Sequence, residues 1–216
     1  MDAVIFDMDG VLFDTERLYM EGWTQVAKKR GIAGMEEVAR GCIGLNRSDS
    51  RSYVQTHYGE EFDYDDFRVA VTSWVKTHIK IYGLPMKPGV EQILRYLKQR
   101  GISIGLATST SYQIVLEYLK SAGILDYFRV IVTGDMIEHS KPQPDIYLLA
   151  CRKLGVEPSK AYAIEDSPNG LLAAYRAGLK AILVPDLVEP TLQMRSQSHQ
   201  IFYDLTEVMV FLQKIV

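Results

Sequence analysis

The sequence predicts an α/β protein in which a parallel sheet with helices on both faces is interrupted by an all-helical insert. Over residues 84–216, short apolar runs alternate with amphipathic helical patterns, which is typical of βαβ units and a parallel sheet. Between residues 15 and 82 the alternation is absent, and charged and aromatic residues recur at helical spacing. The chain therefore predicts a core domain of residues 1–14 and 84–216 and a helical domain of residues 15–83.

The core elements follow from local pattern. Five continuous apolar runs suit buried strands, at residues 3–6, 102–107, 130–132, 161–164 and 181–184. Helical spacing predicts helices at residues 90–97, 114–119, 146–154, 171–177 and 205–215. Gly101, Gly155 and Gly178 follow three of these helices, at the position where glycine ends a helix most easily. This order predicts a Rossmann-like core, and the insert predicts three to five further helices.

Composition indicates which kinds of partner and which cellular compartment to expect. Of 216 residues, 24 are basic and 27 acidic, giving a net charge of −3. A partner such as nucleic acid or an anionic membrane favours a basic surface, so neither is expected. Cys42 and Cys151 are far apart and without metal-type spacing, which favours reduced thiols and a cytoplasmic protein. No apolar run approaches the roughly 18 residues of a membrane span.

Polar side chains follow the predicted strands, and they form the candidate site. Parallel sheets bind ligands at the carboxyl ends of their strands, so these side chains are expected to lie at one edge. They are Asp7, Asp9, Thr108, Ser109, Lys141, Glu165 and Asp166.

The residue types predict a metal and a phosphate group at this edge. Asp7, Asp9 and Asp166 supply the oxygen ligands that Mg²⁺ prefers. Lys141 can neutralise a phosphate, and Thr108 or Ser109 can donate a hydrogen bond to a phosphoryl oxygen. Asp135, before the lysine loop, suits either a place near the metal or a helix cap. Ser167 and Pro168 suit the start of the following helix.

Four motifs in order resemble those of the haloacid dehalogenase superfamily of phosphotransferases. They are FDMDGVLFDTE, Thr108 in LATST, Lys141 in SKPQPD, and Glu165 with Asp166 in AIEDSPNG. The insert resembles the helical cap of this superfamily, and the whole chain is most similar to its β-phosphoglucomutase-like branch.

The resemblance implies a role for each matching residue. Asp7 would attack phosphorus and form an aspartyl-phosphate, and Asp9 would be the general acid and base. Mg²⁺ would be held by Asp7, by the backbone carbonyl of Asp9 and by Asp166, with Glu165 orienting these ligands rather than binding directly. Lys141 and Thr108 would stabilise the charge of the phosphoryl group.

Departures from the mutase pattern favour hydrolysis. A mutase must hold a second phosphate, and the resemblance implies a cap histidine and two lysines where this chain has Tyr19, Ile43 and Ser111. Gly44 and Arg47 match the cap loop, and Lys76 is a candidate match for a cap lysine. These three residues are therefore candidates for substrate binding, although Arg47 suits a solvated loop charge equally well.

The leading hypothesis is a Mg²⁺-dependent phosphatase of small phosphate monoesters, sugar phosphates in particular. The alternative within enzymes is a β-phosphoglucomutase-type sugar phosphomutase. A non-catalytic regulatory module on the same fold is a third possibility, which the complete set of motif residues disfavours. We expect the chain to act as a monomer.

Overall fold

The computed structural model describes residues 1–43, 45 and 47–215. The chain divides into two compact units, one of Met1–Asp14 together with Leu84–Val216 and one of Thr15–Gly83. The larger unit contains every strand found in the described residues, and the smaller unit is helical.

A parallel sheet of six strands forms the centre of the larger unit. The strands are β1 (Ala3–Phe6), β2 (Ser103–Thr108), β3 (Val130–Thr133), β4 (Ala161–Glu165), β5 (Lys180–Leu183) and β6 (Gln200–Ile201). Their order across the sheet is β3-β2-β1-β4-β5-β6, and every neighbouring pair is parallel. β1 therefore lies between β2 and β4, so the loops after these three strands are neighbours at one edge.

Helices cover both faces of this sheet. Helices α1 to α4 belong to the smaller unit and are described below. In chain order, the helices of the larger unit are α5 (Val90–Gln99), α6 (Tyr112–Ser121), α7 (Asp145–Leu154), α8 (Pro168–Arg176), α9 (Leu192–Gln197) and α10 (Leu205–Gln213). No helix among the described residues is both long enough and apolar enough to cross a bilayer.

Two hydrophobic layers hold the helices to the sheet, because successive strand side chains point to opposite faces. On β1, Val4 and Phe6 join the layer made with α5, α6 and α10. Ala3 and Ile5 join the layer made with α7, α8 and α9. All four side chains are completely buried, which explains why this strand is a continuous apolar run rather than an alternating one.

The predicted α/β architecture is confirmed, and all five predicted core strands and five predicted core helices are present with small shifts at their ends. One strand and one α-helix of the larger unit were missed by the sequence reasoning. β6 has 2 residues and α9 has 6, too few for periodicity to distinguish them from loop.

The described residues of the smaller unit form four helices, within the three to five predicted for the insert. They are α1 (Thr15–Arg30), α2 (Met35–Gly41), α3 (Arg47–Tyr58) and α4 (Tyr64–Tyr82). α1 packs closely on α4 at Gly22, where an added Cβ would lie 3.1 Å from both the Trp74 ring and Val75 Cγ2. Trp23 contributes to the same interface, with its ring centroid 5.5 Å from that of Phe67.

Candidate active site

The candidate site lies at the carboxyl ends of β1, β2 and β4. Asp7 directly follows β1, Thr108 is the last residue of β2, and Glu165 is the last residue of β4. The register of the sheet aligns these ends, since Phe6 pairs with both Leu106 and Ile164. Residues that are distant in sequence are therefore adjacent at this edge, as the sequence predicted.

Lys141 joins the loop after β3 to this edge. Its Nζ donates to Asp7 Oδ1 and to Glu165 Oε1, each at 2.6 Å, and to the carbonyl of Ala107 at 3.1 Å. The side chain is only 8% exposed, so its three N–H groups have three acceptors inside the protein. The lysine is thus fixed between two carboxylates rather than mobile on the surface.

Burial and mutual repulsion perturb the acids of the site. Burial raises the pKa of Asp7 to about 7, against the lowering effect of Lys141, and the charges of Glu165 and Asp9 raise it further. Burial and the charges of Asp7 and Glu165 also hold the pKa of Asp166 well above its usual range. The pKa of Lys141 is raised, because its two carboxylate partners outweigh the effect of burial. Negative charge is therefore in excess here.

The acids present fit a divalent cation. Oxygen atoms of Asp7, Glu165 and Asp166 lie within 4.8 Å of one another. Three carboxylates face the single ammonium of Lys141, which leaves two negative charges uncompensated when all are ionised. An all-oxygen set with this excess suits Mg²⁺.

Gly10 allows Asp166 to reach this cluster. Its φ of +78° forms the turn after Asp9, and a Cβ at this position would overlap the Asp166 carboxylate. Glycine is needed for both the left-handed backbone and the close approach. Gly170 has a similar relation to Glu165, because a Cβ there would overlap the Glu165 carboxylate.

Asp9 is half-buried and turned to a different partner from Asp7. Thr110 Oγ1 donates to Asp9 Oδ2 over 2.7 Å. The Asp9 side chain is not part of the three-acid cluster, and the two aspartates of the first motif have different hydrogen-bond partners, Thr110 for Asp9 and Lys141 for Asp7. Thr108 is buried and accepts from Thr110 N at 3.1 Å, whereas Ser109 between them is exposed.

Two residues of the site were missed by the sequence reasoning. Tyr147 Oη donates to Glu165 Oε1 at 2.6 Å, and it lies on α7 within the hydrophobic layer. Thr110 follows the β2 motif by two positions. Nothing in the sequence indicated that Tyr147 belongs to the site, since a tyrosine on a buried helical face predicts only packing. Thr110 could have been found, because it shares with Thr108 and Ser109 the loop at the carboxyl end of a strand.

Two subsidiary expectations also have structural outcomes. Ser167 accepts from Gly170 N at 3.1 Å and so caps α8, as predicted. Asp135 accepts from the backbone N–H of Tyr112 at 3.3 Å and from the Thr133 hydroxyl. The hydrogen bond from Thr133 lowers the pKa of Asp135. Through its bond to Tyr112 N, Asp135 caps the start of α6 although it lies outside that helix.

The smaller unit contains the remaining candidates. Arg47 begins α3, and its guanidinium pairs with Asp65 at 2.8 Å, while Arg51 pairs with the same carboxylate at 2.5 Å. Arg47 and Lys76 line one cavity of about 510 Å³, together with Arg68. The structure therefore brings Arg47 and Lys76 together, and gives Arg47 an acidic partner. Gly44 lies outside the described residues.

A family model described as haloacid dehalogenase-like hydrolase matches residues 4–184. This span includes every candidate residue of both units. The chain belongs to this family. The resemblance of its four motifs is thereby confirmed.

Relatives in this haloacid dehalogenase-like family include phosphatases and mutases. A phosphorylated carbohydrates phosphatase of Thermotoga maritima is 37% identical over 182 residues, which cover 84% of each chain. A β-phosphoglucomutase of Bacillus subtilis is 31% identical over 188 residues, covering 84% of this chain and 82% of the relative. A solved structure from T. maritima, provisionally assigned as a β-phosphoglucomutase, has a TM-score of 0.86 and 32% identity over 100% of both chains.

The predicted branch and enzyme class are supported by these relatives. The chain is a β-phosphoglucomutase-like member of the haloacid dehalogenase family. The family model and the phosphatase relatives together place it among the phosphoric monoester hydrolases.

Proposed function

We propose that this protein is a Mg²⁺-dependent phosphatase that hydrolyses small phosphate monoesters, chiefly sugar phosphates, through an aspartyl-phosphate on Asp7. The observation that carries the proposal is the position of Lys141, whose Nζ bridges Asp7 and Glu165 at 2.6 Å each. A lysine fixed against the acid that follows the central strand provides positive charge where an incoming phosphate needs it.

Asp7 is the proposed nucleophile. It follows the central strand, it is buried, and one of its oxygens is held by Lys141, so the carboxylate has one orientation. Attack of an Asp7 oxygen on phosphorus forms the acyl phosphate as the bond from phosphorus to the ester oxygen breaks. Lys141 then stabilises the charge on the phosphoryl oxygens, and the Thr108 hydroxyl is proposed to assist it. Ser109 is proposed as a further donor to substrate.

Asp9 is the proposed general acid and base. It would give a proton to the departing ester oxygen, and it would later accept a proton from the water that attacks the aspartyl-phosphate. The sum of the two steps is one ester and one water converted into one alcohol and one phosphate. Its separation from the cluster of Asp7, Glu165 and Asp166 suits this role, since it leaves the Asp9 side chain to face the substrate.

Asp7, Asp166 and the backbone carbonyl of Asp9 are proposed to hold the metal, with Glu165 orienting them. When bound, Mg²⁺ would neutralise the excess charge of the acids and polarise the phosphoryl oxygens. Glu165 has little capacity left for direct binding, because it already accepts from Lys141, Tyr147 and Ser167.

Hydrolysis is favoured over the mutase reaction by the charges of the smaller unit, which we propose acts as a cap. A mutase needs a second phosphate site, but the charge of Arg47 already meets Asp65 at 2.8 Å. We propose that Arg47, Lys76 and Gly44 contact polar groups of the substrate. The mutase alternative is supported by the β-phosphoglucomutase among the relatives. Action as a monomer in the cytoplasm is also proposed.

A panel of phosphate esters, assayed for phosphate release with Mg²⁺ and then with EDTA, tests the function. We expect Mg²⁺-dependent release from hexose and pentose phosphates, and its loss in Asp7→Asn. The matched control is Asp126→Asn, an exposed aspartate before β3 and so at the opposite edge of the sheet. Retained turnover in Asp7→Asn would overturn the assignment of Asp7 as the nucleophile.

Two other outcomes decide between the alternatives. Conversion of a hexose 1-phosphate to the 6-phosphate without net phosphate release would establish the mutase. A complete absence of Mg²⁺-dependent turnover across the panel would favour the non-catalytic module.

A further inference from the structure

The Thr110 hydroxyl is placed against the proposed acid and base. Thr110 Oγ1 donates to Asp9 Oδ2 at 2.7 Å, across 101 positions of sequence. Both residues belong to the larger unit, and both are partly buried. The contact therefore joins the loop after β2 to the loop after β1 at the edge of the sheet.

Thr110 is itself held in place from two sides. Its backbone N–H donates to Thr108 Oγ1 at 3.1 Å, which ties it to the last residue of β2. The preceding residue, Ser109, lies against the end of β3, where an added Cβ on Gly134 would come within 2.5 Å of the Ser109 carbonyl oxygen. The hydroxyl thus projects from a loop fixed to two neighbouring strands.

This bond distinguishes the two oxygens of Asp9. Because Oδ2 is engaged by Thr110, Oδ1 is the oxygen left to exchange a proton with the ester oxygen and then with water. A carboxylate held at one oxygen also keeps a single orientation through both steps, which is what positional catalysis requires.

We propose that Thr110 is a positioning residue for Asp9, which orients its carboxylate for proton transfer to the leaving group. The inference rests on the proposed function, because it needs Asp9 to act as acid and base. It assigns no contact between Thr110 and substrate.

Leaving groups of different basicity test the proposal. A hexose 6-phosphate needs its departing oxygen protonated, whereas p-nitrophenyl phosphate releases a stable phenolate. In Thr110→Val we expect kcat/KM for the hexose phosphate to fall about 10-fold or more, with little change for p-nitrophenyl phosphate. Thr110→Ser restores the hydroxyl and should restore the hexose phosphate rate, and Asp9→Asn should show the same selectivity more strongly.

Three further variants separate the role of Thr110 from the proposed function of the site. Ser111→Ala changes the next residue, whose side chain makes no cap hydrogen bond, and it should behave as wild type. Thr110→Ala removes the hydroxyl without added branching and serves if the valine variant unfolds. Asp7→Asn is assayed alongside with both esters.

The rates of Thr110→Val and Asp7→Asn on the two esters decide whether Thr110 positions Asp9. Equal losses on both esters in Thr110→Val, no loss on either, or a raised KM with unchanged kcat would overturn the positioning role. If Asp7→Asn is inactive while Thr110→Val resembles wild type, only the role of Thr110 is wrong. If Asp7→Asn retains turnover, the proposed mechanism fails and the role of Thr110 fails with it.

Discussion

Tyr147 Oη donates to Glu165 Oε1 over 2.6 Å, and both side chains are completely buried. The same oxygen accepts from Lys141 at 2.6 Å, so the phenol helps to hold the acid that holds the lysine. Burial and the Glu165 charge raise the pKa of Tyr147 well above its usual range, which keeps the phenol protonated as a donor. The hydrophobic layer under the sheet is thereby connected to the candidate site.

Removing this hydroxyl should cost stability. Tyr147→Phe is expected to lower the free energy of unfolding by about 1–3 kcal/mol, because the buried carboxylate loses a hydrogen-bond donor. The control is Tyr96→Phe, since the Tyr96 hydroxyl is buried and has no hydrogen-bond partner among the described residues. Urea unfolding of both variants makes the comparison, and equal effects would contradict the role given to Tyr147.

Gly10→Ala should disable the candidate metal site. The substitution places a Cβ at φ +78° on top of the Asp166 carboxylate, so this carboxylate cannot keep its present position in the acid cluster. Gly101→Ala is the matched control, because Gly101 has a φ of +68° and nothing within 4 Å of an added Cβ. Both variants should lose about 1 kcal/mol from backbone strain. Only Gly10→Ala should lose Mg²⁺ affinity by calorimetry, and equal affinities would refute this.

The contribution of the N-terminal cap of α8 to stability can be measured by comparison with α6, whose N-cap residue makes no side-chain cap bond. Ser167→Ala removes the acceptor for Gly170 N and also the donor to Glu165 Oε2 at 3.3 Å. It should therefore cost at least about 1 kcal/mol of unfolding free energy. Ser111 occupies the same position at α6 without a side-chain cap bond, so Ser111→Ala should cost close to nothing. Chemical denaturation of the two variants checks the difference, and a cost at Ser111 as large as that at Ser167 would count against it.

Metal binding should depend on pH with a definite sign. Burial raises the pKa of Asp7 from 3.8 to about 7, so the folded, metal-free protein holds this proton more tightly than the unfolded chain does. Its contribution to stability is therefore present at low pH and declines as pH rises towards 7. Mg²⁺ competes with the proton, so the rise in Tm on adding Mg²⁺ should be larger at pH 8 than at pH 6.

Asp7→Asn provides the control for this prediction. The amide carries no proton that a metal can displace, so the variant should bind Mg²⁺ more weakly and with less dependence on pH. A wild-type Tm shift that is the same at both pH values would contradict the assignment of Asp7 to the metal.

Much of the fold and of the candidate site could be predicted because it depends on local pattern. Buried parallel strands are apolar runs, as at Ala3–Phe6, and α5 shows helical spacing at Val90, Ile93, Leu94 and Leu97, all of which are buried. The acids and the lysine of the motifs follow strand ends, and a parallel sheet brings such ends together whatever their distance in sequence. β6 and α9 were missed because they are too short for a period to develop.

The sequence by itself therefore determined the α/β architecture, the family and the residues at the edge of the sheet. Only the tertiary structure decided how those residues pair: Lys141 between Asp7 and Glu165, Thr110 on Asp9, and Arg47 on Asp65. The reason is physical. Periodicity and motif order set which strand end carries each side chain, whereas hydrogen bonds depend on distances of 2.6–2.8 Å that arise only when separate loops pack together.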